Sequence, residues 1–164
     1  MTGTRRVAFT LNGEKREFTV SPDEKLLALL RRSGYKGVKN GCSEGSCGVC
    51  TVILDGRAVL ACLLYAFQAD GRKVETVEGV GDFESPHPFQ KALVEENAVQ
   101  CGFCTPGMVM AAKALLDKHP HPSEERAKEY MDGVFCRCTG YEKIWSALRK
   151  VGAAAPAGGQ PHGS

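Results

Sequence analysis

The chain has 164 residues, 43% of them hydrophobic and 24% charged, with a formal net charge of +2. That length suits one domain or two small ones, and the composition is ordinary for a soluble globular protein. The charge offers no basic field for nucleic acid, and no apolar run approaches the ~20 residues that span a bilayer.

The N-terminal stretch MTGTRRVAFTLNG has two arginines with no signal-peptide core behind them, so export on the chain's own signal is not expected. From Arg6 to Val20 apolar and polar residues alternate around Asn12-Gly13, a strong hairpin signal. Ser21 as N-cap, Pro22 in the first turn and Glu24 completing a capping box predict a helix start. Leu26, Leu27, Leu29 and Leu30 give that helix its apolar face, and Gly34 ends it. CTVILDGRAVLAC reads as a second hairpin turning at Asp55-Gly56, and RKVETV as a last short strand. Together these predict a small mixed sheet crossed by one helix, an α+β unit spanning residues 1–79.

The Gly- and Pro-rich EGVGDFESPHP marks a junction. Helices are expected over roughly 86–97, 105–118, 123–132 and 140–151, in a second unit spanning 80–152. Met108, Ala112, Leu115 and Leu116 stripe one; Tyr141, Ile144, Trp145, Leu148 and Val151 stripe the last. The remainder, 153–164, has no periodicity and is expected to be disordered. Each unit is small enough that metal ligation should supply part of its folding free energy.

Eight cysteines are the outlying feature. With nothing marking secretion, reduced thiols that bind metal are the expected state. They form two groups of four: Cys42, Cys47, Cys50 and Cys62, then Cys101, Cys104, Cys136 and Cys138. The first three, in GCSEGSCGVC, have the plant-type [2Fe–2S] spacing, and the glycines let a loop wrap its N–H groups around an anionic cluster. A zinc knuckle fits that spacing poorly. The second group lies in QCGFCTPG and FCRCTGY, each pair just ahead of an expected helix N-terminus, at Thr105-Pro106 and at a Thr139–Glu142 capping box. Helix N-termini favour thiolate. Alone, this second group also suits zinc; beside a plant-type loop, a second [2Fe–2S] cluster is the stronger reading.

GCSEGSCGVCTV, QCGFCTPGM and CRCTGY, in that order, resemble the small iron–sulfur subunit of the molybdenum hydroxylases, the family of xanthine dehydrogenases, aldehyde oxidoreductases and aerobic carbon monoxide dehydrogenases. The resemblance runs from about residue 5 to 151. It implies a ferredoxin-like β-grasp domain followed by a four-helix domain, each holding one [2Fe–2S] cluster. It implies that the helical cluster lies near a molybdopterin cofactor held by a large partner subunit, with Gln100 and the Cys138 sulfur approaching the pterin. It implies single-electron relay from that cofactor to a flavin (FAD) in a medium subunit or to another acceptor, in a heterotrimer or dimer of heterotrimers; the cytoplasm is the default location, with export of the folded complex on a partner's signal left open. No catalytic residue is expected on this chain. A free two-cluster ferredoxin shuttle and a zinc-stapled interaction module are the competing readings. Gln100 and the slightly basic charge speak against the first, and visible colour would decide the second.

The remaining candidates receive plain readings. His87, His119, His121 and His162 are expected to be structural or solvated, Lys36 and Lys39 solvated, and Trp145 and Tyr141 ordinary core. Arg137 is either a charge offset or a surface residue. The Met108–Met110 pair is core or subunit interface.

Overall fold

In a computed structural model, residues 3–154 are described. The expected strands form: β1 (Arg5–Leu11), β2 (Glu14–Val20), β3 (Thr51–Leu54), β4 (Arg57–Leu60) and β5 (Lys73–Glu75). They make one sheet in the order β2-β1-β5-β3-β4, with β1 and β5 parallel and the other neighbours antiparallel. Both hairpins turn where expected, at Asn12-Gly13 (φ 50° and 86°) and Asp55-Gly56 (φ 47° and 76°), where both central residues must adopt positive φ.

The two turn residues do a second job. Asn12 Oδ1 accepts the N–H of Thr76 (2.8 Å), and Asp55 Oδ1 accepts the N–H of Lys73 (2.8 Å). Each hairpin tip therefore holds the β5 segment, which is too short to hold itself.

Helix α1 spans Leu26–Arg32, later than the Ser21 cap predicts. The Ser21 hydroxyl donates instead to Asp23 Oδ1 (2.7 Å), and Glu24 pairs with Arg32 (2.6 Å). Lys25 occupies the cap position without a side-chain cap. The leucine face is as expected. Leu26, Leu27, Leu29 and Leu30 are buried with Val7, Phe9, Leu11, Val20, Val52, Leu54 and Val74, the inward set of the sheet.

Four helices follow: α2 (Pro88–Glu95), α3 (Thr105–Lys118), α4 (Glu124–Met131) and α5 (Glu142–Ala154). The last runs into the span expected to be tail; residues 155–164 lie outside the described residues. The helical core gathers Phe89, Leu93, Met108, Leu115, Met131, Ile144 and Leu148. Met108 and Met110 are both buried, which settles that pair as core. His87 caps α2, its Nδ1 accepting the Phe89 N–H (3.2 Å).

Helix α3 belongs to both halves. Ile53 points out of the sheet opposite to Val52 and packs on Met110 and Ala114, while Met108 and Leu115 of the same helix face the helical core. All four residues of β3 are buried as a result. Among the described residues no helix is long and apolar enough to cross a membrane.

Candidate metal centres

The first cysteine group is carried by the loop between α1 and β3 and by the turn after β4. Cys50 and Cys62 are buried; Cys42 and Cys47 are partly exposed. Their sulfurs pair. Cys42 lies within hydrogen-bonding reach of Cys47, and Cys50 of Cys62. The Ser46 hydroxyl and then the Glu44 amide draw the Cys42 thiol down to about 6. Burial pushes the Cys50 thiol up to about 12 and raises Cys47. The loop fits so closely that a Cβ on Gly48, which has φ 68°, would run into the carbonyl of Gly133 in the other half.

The second group also forms two pairs, one sulfur in each from the turn ahead of α3 and one from the loop ahead of α5. Cys138 and Cys101 are exposed, with Sγ···Sγ 3.4 Å; Cys104 and Cys136 are buried and in mutual reach. Burial pushes Cys104 up to about 12. At Cys136 burial works the same way but is outweighed by the Thr139 hydroxyl (3.1 Å to Sγ) and the amides of Thr139 and Cys138, which bring the thiol below its ordinary value. The Phe103 amide lowers Cys101; the neighbouring Cys101 thiol raises Cys138.

Chemically, these are two pairs of pairs. A tetrahedral zinc draws four sulfurs to one point. Among the described residues no three His, Cys, Asp or Glu side chains form such a single-ion group. Two thiol pairs side by side suit a dinuclear centre in which each iron takes two cysteines. The donors aimed at the sulfurs are backbone amides and hydroxyls, which offset an anionic cluster without titrating. The residues present fit [2Fe–2S] clusters, and a bound iron's charge supplies the thiolate character that burial withholds from Cys50 and Cys104.

Gln100 is exposed and lines a small cavity together with Cys101, Cys104, Cys136 and Cys138. The helix starts depart from expectation. Cys104 itself is the cap of α3, with Thr105 its first residue. Thr139 caps no helix; its hydroxyl is turned to Cys136 Sγ and accepts from Tyr141 N (3.3 Å). Arg137 is exposed, as is Lys36. His121 Nδ1 lies 2.7 Å from the Gly152 carbonyl, a structural role; His162 lies outside the described residues.

Two features of the site escape a sequence reading. The Phe135 N–H donates to the Cys47 carbonyl (2.9 Å), joining a residue beside Cys136 to a cysteine of the first group. Tyr141, expected as helical core, has φ 68° and directs its hydroxyl to the backbone at 134–136. Gly140 ahead of Tyr141 is a local hint of the turn, both residues being at positive φ, and has no bearing on the Phe135–Cys47 bond.

Comparison with known proteins agrees with this chemistry. Residues 9–76 match the family model described as a 2Fe-2S iron-sulfur cluster binding domain, and residues 76–149 match the one described as a [2Fe-2S] binding domain. The nicotinate dehydrogenase small FeS subunit of Eubacterium barkeri is 49% identical over 144 residues, covering 87% of this chain and 92% of that one. The aldehyde oxidoreductase of Megalodesulfovibrio gigas is 43% identical over 148 residues, covering 88% of this chain but 16% of that longer protein. The crystal structure of quinoline 2-oxidoreductase from Pseudomonas putida 86 superimposes with a TM-score of 0.88 at 41% identity, covering 94% of this chain and 97% of that chain.

Proposed function

The chain belongs to the small iron–sulfur subunits of the molybdenum hydroxylases, and from that premise we propose that it relays single electrons, through two [2Fe–2S] clusters, from a partner's molybdopterin to a flavin or other acceptor. Cys42, Cys47, Cys50 and Cys62 would hold one cluster, and Cys101, Cys104, Cys136 and Cys138 the second. Each cluster, when bound, takes up and gives up one electron at a time.

The residues around the cysteines support a direction. At the helical group the outer sulfurs, Cys101 and Cys138, are exposed beside Gln100, with Val99, Phe103 and Phe135 also exposed around them. Such an apolar rim around polar ligands suits a protein partner, the large molybdopterin-binding subunit. At the other group Leu63 and Tyr65 are exposed beside Cys62, with Lys25 Nζ 3.7 Å from the Tyr65 ring centroid. That face suits the acceptor, a medium FAD-binding subunit. Residues 1–79 and 80–152 then serve as the outer and inner stations of a cytoplasmic heterotrimer or dimer of heterotrimers. The substrate-transforming step resides on the large subunit, and no residue here takes a catalytic role.

The observation that carries the two-station reading is the hydrogen bond from Phe135 N–H to the Cys47 carbonyl, which places one hydrogen bond between Cys47 and the residue next to Cys136. The test is anaerobic reconstitution of the full chain, followed by iron and sulfide analysis and low-temperature paramagnetic resonance of the reduced protein. About four irons per chain and two distinct signals are expected. A colourless zinc protein, or a single signal with about two irons, overturns it.

A further inference from the structure

We propose that Tyr141 is the positioning residue of the bridge between the two cysteine groups: its hydroxyl clamps the peptide that carries the Phe135–Cys47 hydrogen bond. The inference deepens the relay proposed above and rests on it.

Three hydrogen bonds run in series. The Cys136 N–H donates to the Tyr141 hydroxyl (2.7 Å). That hydroxyl donates to the Val134 carbonyl (3.2 Å). The Val134 carbonyl and the Phe135 N–H belong to one peptide group, and that N–H donates to the Cys47 carbonyl (2.9 Å). The chain starts on a cysteine of the helical group and ends on one of the other. Donation into a peptide's carbonyl polarises its N–H, so each bond strengthens the next.

Packing alone does not account for this arrangement. The Tyr141 ring packs against the helical core, which a phenylalanine would do as well. A tyrosine hydroxyl offers one proton and accepts others, and both capacities are spent on the two peptide groups flanking Phe135. The residue is also held at φ 68°, a conformation that disfavours any side chain. Backbone strain of this kind persists where the surroundings enforce it. Gly140, also at positive φ (62°), and the Tyr141 N–H bonded to Thr139 Oγ1 (3.3 Å) fix the turn that aims the phenol. From the opposite side, Gly48 and Gly107 let the backbones approach closely enough for Phe135 to reach Cys47.

The test is Tyr141→Phe in the full chain carrying both clusters, with three readouts: iron content, hydrogen exchange at the Phe135 amide, and the inter-cluster electron-transfer rate after rapid one-electron reduction. Iron content is expected to stay at the wild-type level. Phe135 amide exchange is expected to quicken about tenfold, as for the loss of one net hydrogen bond, and inter-cluster transfer to slow several-fold. An unchanged transfer rate with irons intact overturns the clamp, even if the melting temperature falls, because that is what a packing role predicts. Should Tyr141→Phe fail to fold, 3-fluorotyrosine at position 141 keeps the shape and makes the hydroxyl a stronger donor. A slower Phe135 exchange then supports the clamp and an unchanged one overturns it. If the wild-type chain itself carries only one cluster, the relay fails, while the exchange measurement still judges the clamp.

Discussion

Asn12, at a hairpin tip, and Thr76, 64 residues further along the chain, hold each other by two hydrogen bonds: Thr76 N–H to Asn12 Oδ1 (2.8 Å) and Asn12 Nδ2 to Thr76 Oγ1 (3.0 Å). Thr76 is fully buried. Asn12→Gly keeps the positive-φ turn but strands the Thr76 donor. It should cost about 1–3 kcal/mol, the penalty for an unsatisfied buried polar group. Chemical denaturation of the variant against the wild type measures it, and an unchanged midpoint would sink the stapling role.

Gly48 is a second test of the seam. An alanine there must both adopt φ 68° and displace the Gly133 carbonyl. Gly48→Ala should destabilise by several kcal/mol, as overpacking and backbone strain add. It should also loosen the Phe135–Cys47 bond. Gly13→Ala, also at positive φ (86°) but with open space around it, is the control for strain alone. Equal melting temperatures for the two variants would refute the close-approach argument.

The cysteine assignments separate cleanly. Cys50→Ser should remove the plant-type cluster and Cys136→Ser the helical one, each leaving about two irons and one paramagnetic signal. Loss of all iron from either single variant would mean that the eight sulfurs do not divide as four and four.

His87 gives the fold a pH dependence. Burial, and then the Lys113 cation facing it from α3, lower its pKa from the ordinary 6.5, with Asp117 opposing. The unfolded chain therefore binds more protons than the folded one just below that value. Stability should be complete above the unfolded pKa and be lost as the pH falls through the folded one. Protonation would also remove the lone pair that accepts the Phe89 N–H at the start of α2. Thermal melts from about pH 7.5 to 5 should show this decline, and His87→Asn, which retains a capping acceptor, should flatten it. A wild-type profile that stays level would refute the assignment.

What the sequence disclosed depended on whether the determining contact was local. Asn12-Gly13 and Asp55-Gly56 were legible because positive φ is a property of those residues themselves. The nearness of Cys42 to Cys47 is local, whereas Cys101 reaches Cys138 only through the fold. Ser21 misled because the backbone stays extended at Lys25, which bridges to Tyr65, and helix α1 started one turn later. Thr139 misled because the two residues after it are at positive φ, so its hydroxyl accepts the Tyr141 N–H in a turn and the helix starts only at Glu142. Nothing in TVIL announced that Ile53 would face α3, since a strand buried on both faces shows no alternation. The Phe135–Cys47 bond joins residues brought together only by the tertiary fold.

Because Ile53 of the sheet packs on Met110 and Ala114 of α3, while Met108 and Leu115 of that same rod face the helical core, the gap between the two cysteine groups is cast into the solid body of the molecule and does not hang on a tether. Such a piece would keep that spacing unchanged whether it were built into a longer polypeptide or stood as a separate subunit.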